Sequence, residues 1–358
     1  MNETVTWRSN ATLADVADRL REAPSVLVLT HAKADGDAFG SAMAVARAMR
    51  AIDIDARVAF AGPFPDRFRQ LLEPEDDVRF LGDDPEAAIF AEPWFANAHA
   101  LLVVDTGAWS QLAEVRLLLE PRHDITALVD HHRHGDDLVA RFRHVEPEAA
   151  AAAELVAELA RLLVGAASIA ALPDRIATPA YLGIATDTGW FRHSSTTPRT
   201  MRVVADLLEA GADAIRVRAL VEQGDPPARL ELMKRALASL TRHANDRVTI
   251  MRLRQLDFAE AGASPDDSGG LIDLPQSVTD LRVSVLLTER PGGVVKISMR
   301  SKPIHPVVDV NTVAQRFGGG GHMHAAGAKV EGALDEVARD LLEVIEAAIG
   351  DAGAGQAS

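Results

Sequence analysis

Val26-Leu27-Val28-Leu29-Thr30-His31-Ala32-Lys33-Ala34-Asp35-Gly36-Asp37 is the stretch from which the architecture of this 358-residue chain can be read. A run of Val and Leu that ends in a polar, glycine-containing loop reads as a buried strand, so the loop lies at the strand's carboxyl end. Open α/β sheets hold their ligands at that end. His31, Asp35 and Asp37 are spaced so that one imidazole and two carboxylates can converge on a point, as a divalent cation requires. The loop is a candidate metal site.

Outward from this loop, helical and strand patterns alternate. Residues 12–21 read as a helix opened by Thr12 and Asp15 in capping-box spacing, and 38–49 as the helix after the loop. Short strands recur at 56–60, 78–81, 100–104 and 125–129, with helical stretches such as 109–119 between several of them. The pattern predicts an α/β fold with a doubly wound, mostly parallel sheet. Residues 149–164, rich in Ala, Leu and Glu, read as a helix, and helices continue to about Leu240. Strand patterns resume at 248–253, 282–288 and 294–300, the last two divided by the turn Arg290-Pro291-Gly292-Gly293. The expected organisation is a first domain over 1–222, a helical linker over 223–242, a smaller α/β domain over 243–349 and a disordered tail over 350–358. The active site is expected in the cleft between the two domains.

Composition narrows the function. Hydrophobic residues make up 47 % of the chain, which indicates a packed globular protein. There is no cysteine, so disulfides, thiolate metal sites and cysteine nucleophiles are excluded. The N-terminal residues lack a basic segment followed by an apolar core, and no apolar run approaches the ~20 residues that span a bilayer, so a cytoplasmic location is expected. A net charge of −15 argues against tracking long nucleic acid, which depends on phosphate neutralisation by Lys and Arg.

Three further clusters accompany the opening loop. Asp105 ends the apolar run 101–104 and is followed by Thr106-Gly107. Asp130-His131-His132 ends the strand pattern at 125–129, and Asp187 lies in Ala185-Thr186-Asp187-Thr188-Gly189. Taken singly, an Asp-Thr-Gly after a strand is more often a turn or helix cap than a ligand, and a His-His pair is more often at the surface or behind a ligand than a ligand itself. Their joint occurrence at successive strand ends favours one shared metal centre.

The order His-x-x-x-Asp-x-Asp, Val-Asp-Thr-Gly, Asp-His-His and Thr-Asp-Thr-Gly-x-Phe resembles the DHH phosphoesterase superfamily. Residues 297–302 and 317–327, which include Phe317-Gly318-Gly319-Gly320-Gly321-His322, look like that superfamily's associated C-terminal substrate-binding domain. The length and short interdomain region are similar to the branch of nanoRNases and 3′-phosphoadenosine 5′-phosphate (pAp) phosphatases, which also holds cyclic-dinucleotide phosphodiesterases. The resemblance implies a hydrolase of phosphoester bonds acting on RNAs of two to five nucleotides, on pApA-type dinucleotides or on pAp. A cyclic-di-AMP phosphodiesterase of the same family, a small pyrophosphatase-like hydrolase and a non-catalytic nucleotide sensor are the alternatives. A membrane or a long nucleic acid is not an expected partner, and a homodimer is compatible with the pattern.

The resemblance further implies one ion held by His31, Asp35 and Asp105, and a second by Asp37, Asp105, His131 and Asp187, with Asp105 shared. Charge accounting agrees, because two divalent ions neutralise four clustered aspartates. Mixed imidazole and carboxylate donors suit Mn²⁺ better than Mg²⁺, with cobalt and iron as open alternatives. Two ions would activate water and stabilise the attacking and leaving oxygens of an in-line displacement without a covalent nucleophile. His132 would face the scissile phosphate and Asp130 would orient an imidazole. Arg300, Ser301, Gly319, Gly320, Gly321 and His322 are the expected contacts to the substrate's terminal phosphate, although a glycine run alone is usually a flexible loop. Two departures stand out: Ala34 occupies a position that is often proline, and residues 149–153 are all alanine where hydroxyl residues often open the helix. Phe191, Arg192 and His193 read equally as base or phosphate contacts and as packing and surface residues. Lys33 and the tryptophans at 94, 109 and 190 carry no separable signal.

Overall fold

A computed structural model describes residues 7–354, apart from 63, 83, 85–87, 89–91 and 305–306. The chain divides into two compact units, Met1–Gly224 and Asp225–Ser358. Among the described residues no helix is long and apolar enough to cross a membrane.

In the first unit, helix α1 (Leu13–Arg21) starts where the Thr12 hydroxyl accepts from the Asp15 amide and Asp15 accepts back from the Thr12 amide. Strand β1 (Ser25–Leu29) is buried along its whole length, and α2 (Gly36–Arg50) follows. Strands β2 (Asp55–Phe60), β3 (Val78–Phe80), β4 (Ala100–Val104), β5 (Thr126–Asp130) and β6 (Phe142–Val145) complete a six-stranded, all-parallel sheet in the order β3-β2-β1-β4-β5-β6. Helices α3 (Ala152–Val164), α4 (Asp174–Asp187) and α5 (Pro198–Glu209) come next. Alternation along the strands feeds two apolar layers. Val26, Val28, Leu102 and Val104 pack with the helices, and Leu27, Leu29, Leu101 and Val103 pack on the opposite face.

Helix α2 is buried on all sides, consistent with its small and apolar residues. It approaches α4 so closely that a Cβ on Gly40 would fall within 3.0 Å of the Gly183 backbone, and one on Gly36 would strike the Thr186 side chain. This contact brings the start of α2 and the end of α4 together. Residues 109–119, expected to be helical, form only a turn and two short helical pieces, Ala113–Val115 and Arg116–Leu119. Side chains explain the difference: the Thr106 hydroxyl accepts from the Ala108 amide and the Asp136 carboxylate from the Trp109 amide, which holds the segment in a turn.

The second unit is a mixed six-stranded sheet of β7 (Thr241–His243), β8 (Val248–Leu253), β9 (Val283–Arg290), β10 (Val294–Ser301), β11 (Gly320–His322) and β12 (Ala325–Glu331), in the order β11-β12-β10-β9-β8-β7. Only β8 and β9 pair in parallel. Helix α6 (Pro227–Ala238), the stretch read as a linker, buries Leu232 and Ala236 against Met251, Leu253 and Phe258 of this unit. Helix α7 (Val310–Gln315) precedes the glycine run, and α8 (Leu334–Ala354) closes the unit. This helix runs through Gly350, where the tail was expected to begin, to Ala354, each added residue contributing a hydrogen bond to an established helix. Residues 355–358 lie outside the described residues. The glycine run is also not simply a loop, since Gly320 and Gly321 pair with β12 as a short edge strand. A Cβ on Gly321 would fall 2.7 Å from the Ala326 Cα, so the absence of side chains is what lets the two strands close.

Candidate metal centre

The sheet order reverses direction between β1 and β4, and open α/β sheets bind ligands in the crevice beyond the carboxyl ends of such strands. His31 and Asp35 follow β1, Asp105 follows β4, and Asp130, His131 and His132 end and follow β5. Asp187 is the last residue of α4, which packs in the same helical layer as α2.

The donor atoms meet in three overlapping groups, each within 4.8 Å: His31, Asp35 and Asp105; Asp37, His131 and Asp187; and Asp105, His131 and His132. His31 Nε2 lies 3.8 Å from Asp35 Oδ1 and 3.5 Å from Asp105 Oδ2. His131 Nε2 lies 3.5 Å from Asp105 Oδ1, 3.7 Å from Asp187 Oδ2 and 3.9 Å from Asp37 Oδ2. These separations are too long for hydrogen bonds and close to the spacing of two donors each ~2.1 Å from a common ion. The Asp105 carboxylate faces both imidazoles, one through each oxygen. The residues present thus fit a metal centre with mixed nitrogen and oxygen donors.

Each candidate donor has its own support. Asp35 is the N-cap of α2, and its Oδ1 accepts from the amides of Asp37 and Ala38 at 3.0 and 3.1 Å. Asp37 is buried, with Oδ1 accepting from the Ser41 hydroxyl at 3.1 Å and the Ala153 amide at 2.9 Å, and Oδ2 from the Ala152 amide at 2.6 Å. The carboxylate therefore caps α3 from another helix. That helix has no side-chain cap of its own, which is what the all-alanine opening at 149–153 leaves undone. His131 Nδ1 is 3.3 Å from the Ala149 carbonyl, an arrangement that places the proton on Nδ1 and turns Nε2 toward the carboxylates. Asp105 has a left-handed backbone at φ 62°, which Asp tolerates better than most residues, and its amide donates to the Val129 carbonyl at 3.0 Å.

Asp37, Asp105 and Asp187 and the part-buried imidazoles of His31 and His131 shift one another's protonation. Burial opposes protonation of His31, but Asp105 and Asp35 outweigh it and raise its pKa to about 10. His131 is likewise raised to about 10, because Asp105, Asp37 and Asp187 overcome its burial. Burial and the nearby Asp105 and Asp187 carboxylates push Asp37 well above the ordinary carboxylate range. Burial also raises Asp187 to about 6. Asp105 moves the other way: its burial is outweighed by His131 and His31, which lower it.

His132 stands beside this cluster. Its Nδ1 is 2.8 Å from Asp130 Oδ1, a bond that raises the pKa of the ring, and its side chain is 45 % exposed. Asp130 is fully buried and its Oδ1 also accepts from the His131 and His132 amides. Sequence reasoning missed Ser41, the Ala149 carbonyl and the amides of Ala152 and Ala153. Of these only Ser41 carries a local signal, four residues after Asp37 on one helix face.

In the second unit Arg300, Gly318 and Gly320 line a shallow depression with Lys296 and Lys329. Arg300 Nη1 donates to the Met299 carbonyl at 3.1 Å, and Nε lies 3.6 Å from Asp273 Oδ1. His322 is exposed on β11. Ser301 is buried instead, with its hydroxyl 3.0 Å from His324 Nδ1 and 3.3 Å from the Met323 carbonyl. Arg192 and His193 are exposed, while His193 Nδ1 meets the Asp187 carbonyl at 3.1 Å.

A family model described as the DHH family, N-terminal domain, matches residues 25–184, and one described as the DHHA1 domain matches residues 245–351. The chain is 32 % identical over 353 residues to the bifunctional oligoribonuclease and PAP phosphatase NrnA of Thermus thermophilus, covering 97 % of this chain and 96 % of that protein. It is 27 % identical to the cyclic-di-AMP phosphodiesterase GdpP of Geobacillus thermodenitrificans over 91 % of this chain and 48 % of that protein. An exopolyphosphatase-related protein of Bacteroides fragilis has a similar fold, with a TM-score of 0.81 at 24 % identity over 95 % of both chains. With both domain models matched in order and a relative aligned over nearly all of it, the chain belongs to the DHH family, carries a DHHA1 domain after its DHH domain, and is a hydrolase of phosphoester bonds.

Proposed function

We propose that this chain hydrolyses short nucleotide phosphoesters, both RNAs of two to five nucleotides and pAp, with the aid of two Mn²⁺ ions. The observation that carries the reading is the convergence of His31, Asp35, Asp37, Asp105, His131 and Asp187 at one end of the sheet, in a chain similar over nearly its whole length to NrnA. His31, Asp35 and Asp105 would hold one ion, and Asp37, Asp105, His131 and Asp187 the other. When bound, such a pair supplies Lewis acidity at the phosphate and activates water for in-line attack.

The remaining work falls to the protein. Asp130, bonded to Nδ1, favours the charged His132 ring, whose Nε2–H would then donate to a phosphate oxygen and give its proton to the departing group. Arg300 and His322, with the backbone of Gly319, Gly320 and Gly321, would fix the terminal phosphate of the substrate. Ser301 would act from behind, through its bond to His324 beneath the edge strand. A net charge of −15 repels long polyanionic strands, which favours short substrates.

The test is kcat/KM with Mn²⁺ on 5′-phosphorylated RNAs of two to twenty-four nucleotides, pAp, cyclic di-AMP and pyrophosphate. Activity should be highest on pAp and on RNAs of two to about four nucleotides, and fall steeply by roughly ten. Efficiency that is flat or rises with length would refute the short-substrate reading. A preference for cyclic di-AMP would move the chain toward the activity named for GdpP.

A further inference from the structure

Two of the loops that supply candidate ligands end in glycine: Asp105-Thr106-Gly107 after β4, and Asp130-His131-His132-Arg133-His134-Gly135 after β5. Both glycines face the same side chain, that of Trp7. A Cβ built on either one would fall well under 3.0 Å from ring carbons of Trp7. The indole is 3 % exposed and packs with Leu29, Val103 and Val139 in the apolar layer beneath the sheet's carboxyl end. The loops are also tied to one another where the Asp136 amide donates to the Gly107 carbonyl at 2.8 Å and the Trp109 amide to Asp136 Oδ2 at 2.9 Å.

The segment carrying Trp7 is anchored independently of the loops. The Ser9 hydroxyl donates to the Val145 carbonyl at 2.8 Å, the Asn10 amide to the Arg143 carbonyl at 2.9 Å, and the Arg143 amide to Asn10 Oδ1 at 2.7 Å. The Arg143 guanidinium, 5.8 Å from the indole centroid, donates to the Asp137 and Ala140 carbonyls of the second loop. Trp7 Nε1 is buried with no hydrogen-bond partner, so the ring's place is set by shape and not by its polar atom.

We propose that Trp7 is a positioning residue for the metal centre: its indole is a rigid spacer under Gly107 and Gly135 that fixes the loops bearing Asp105 and His131. The inference rests on the reading of these residues as ion ligands. Removing the ring frees both loops to settle into the vacated space, and a shift of the ligands misplaces donors whose separations must match an ion.

The experiment measures Mn²⁺ dissociation constants of the ion-free full chain, by the electron paramagnetic resonance signal of free Mn²⁺, alongside Tm. It compares wild type, Trp7→Leu, Trp7→Phe and Leu118→Ala, the last a change elsewhere in the same apolar layer. Trp7→Leu should weaken Mn²⁺ binding about tenfold or more, and Trp7→Phe, which keeps a flat ring and the fold, should move the same way by less. Leu118→Ala should lower Tm while holding Mn²⁺ affinity within about twofold of wild type. Wild-type-like affinity in both Trp7 variants would overturn the inference, as would an equal loss in Leu118→Ala. A wild type that binds no Mn²⁺ would instead refute the metal reading, and this inference with it.

Discussion

Asp37→Ala tests whether one carboxylate serves both the metal centre and a helix terminus. Asp37 accepts from the Ser41 hydroxyl and from the amides of Ala152 and Ala153, and all three donors are buried. Truncation leaves two backbone amides at the start of α3 unpaired, at about 1–3 kcal/mol each. Part of this is offset in the ion-free protein, because removing a buried acid relieves repulsion with Asp105 and Asp187. The net expectation is a loss of about 3 kcal/mol, or roughly 6–12 °C in Tm for a unit of this size. Asp37→Asn keeps one acceptor oxygen, enough for one of the two amides, while its NH2 faces the other, so it should recover no more than about half of that loss while still abolishing ion binding at its position. The assay is thermal unfolding of the chelator-treated protein, followed by the far-ultraviolet signal, with Mn²⁺ titrated afterwards. An Asp37→Ala variant whose ion-free stability stays within about 1 kcal/mol of wild type would refute the capping argument.

Asp105→Asn, which preserves the backbone tolerance needed at φ 62°, should abolish hydrolysis and reduce bound ions below two per chain by mass spectrometry. Asp35→Asn retains an N-cap oxygen for α2 and should change ion-free Tm little while weakening Mn²⁺ binding, so equal damage to both would count against a ligand role. Arg300→Ala and His322→Ala should raise KM on phosphorylated substrates with the ion content unchanged; loss of Mn²⁺ in either variant would contradict their assignment to substrate. In the ion-free protein His31 and His131 are raised from 6.5 to about 10, so their stabilisation is complete below pH 6.5 and is lost as pH climbs toward 10. Asp187, raised from 3.8 to about 6, favours the fold in its protonated form and adds a loss between those values. Ion-free Tm should therefore fall from pH 6.5 to 9.5, while Mn²⁺ affinity over that range should rise, because the ion displaces protons. An ion-free Tm that climbs with pH would show the imidazoles to be unpaired.

The parts of the fold legible in sequence are those in which a local pattern coincides with a buried element. Strands β4 and β8 run over the residues the sequence marked, because apolar runs buried on both faces leave little freedom in where they end. Asp105 and His131 were legible for the same reason, since each follows such a run. What holds Asp37 was not legible, because its amide donors lie 115 and 116 residues away and backbone amides leave no trace in composition. The meeting of Asp187 with the other acids depends on Gly36 and Gly40 letting α4 against α2, a fit between helices that periodicity does not reveal. The glycine run before His322 was hidden by its own composition, which suggests a loop, whereas pairing with β12 makes it a strand.

The distance along the chain from His31 to Asp187 has a consequence for how the protein comes into being. The sheet can begin to form once β1 and β2 have met, but the candidate metal centre stays open until α4, which begins more than forty residues beyond β5, docks against α2. Such non-local closure is slow compared with the local steps that precede it. During synthesis the ribosome releases His31, Asp35, Asp37 and Asp105 well before their last companion exists. A nascent chain therefore carries an incomplete acidic cluster, and with these residues as the ligands, full ion capture would mark molecules in which the N-terminal unit has finished folding.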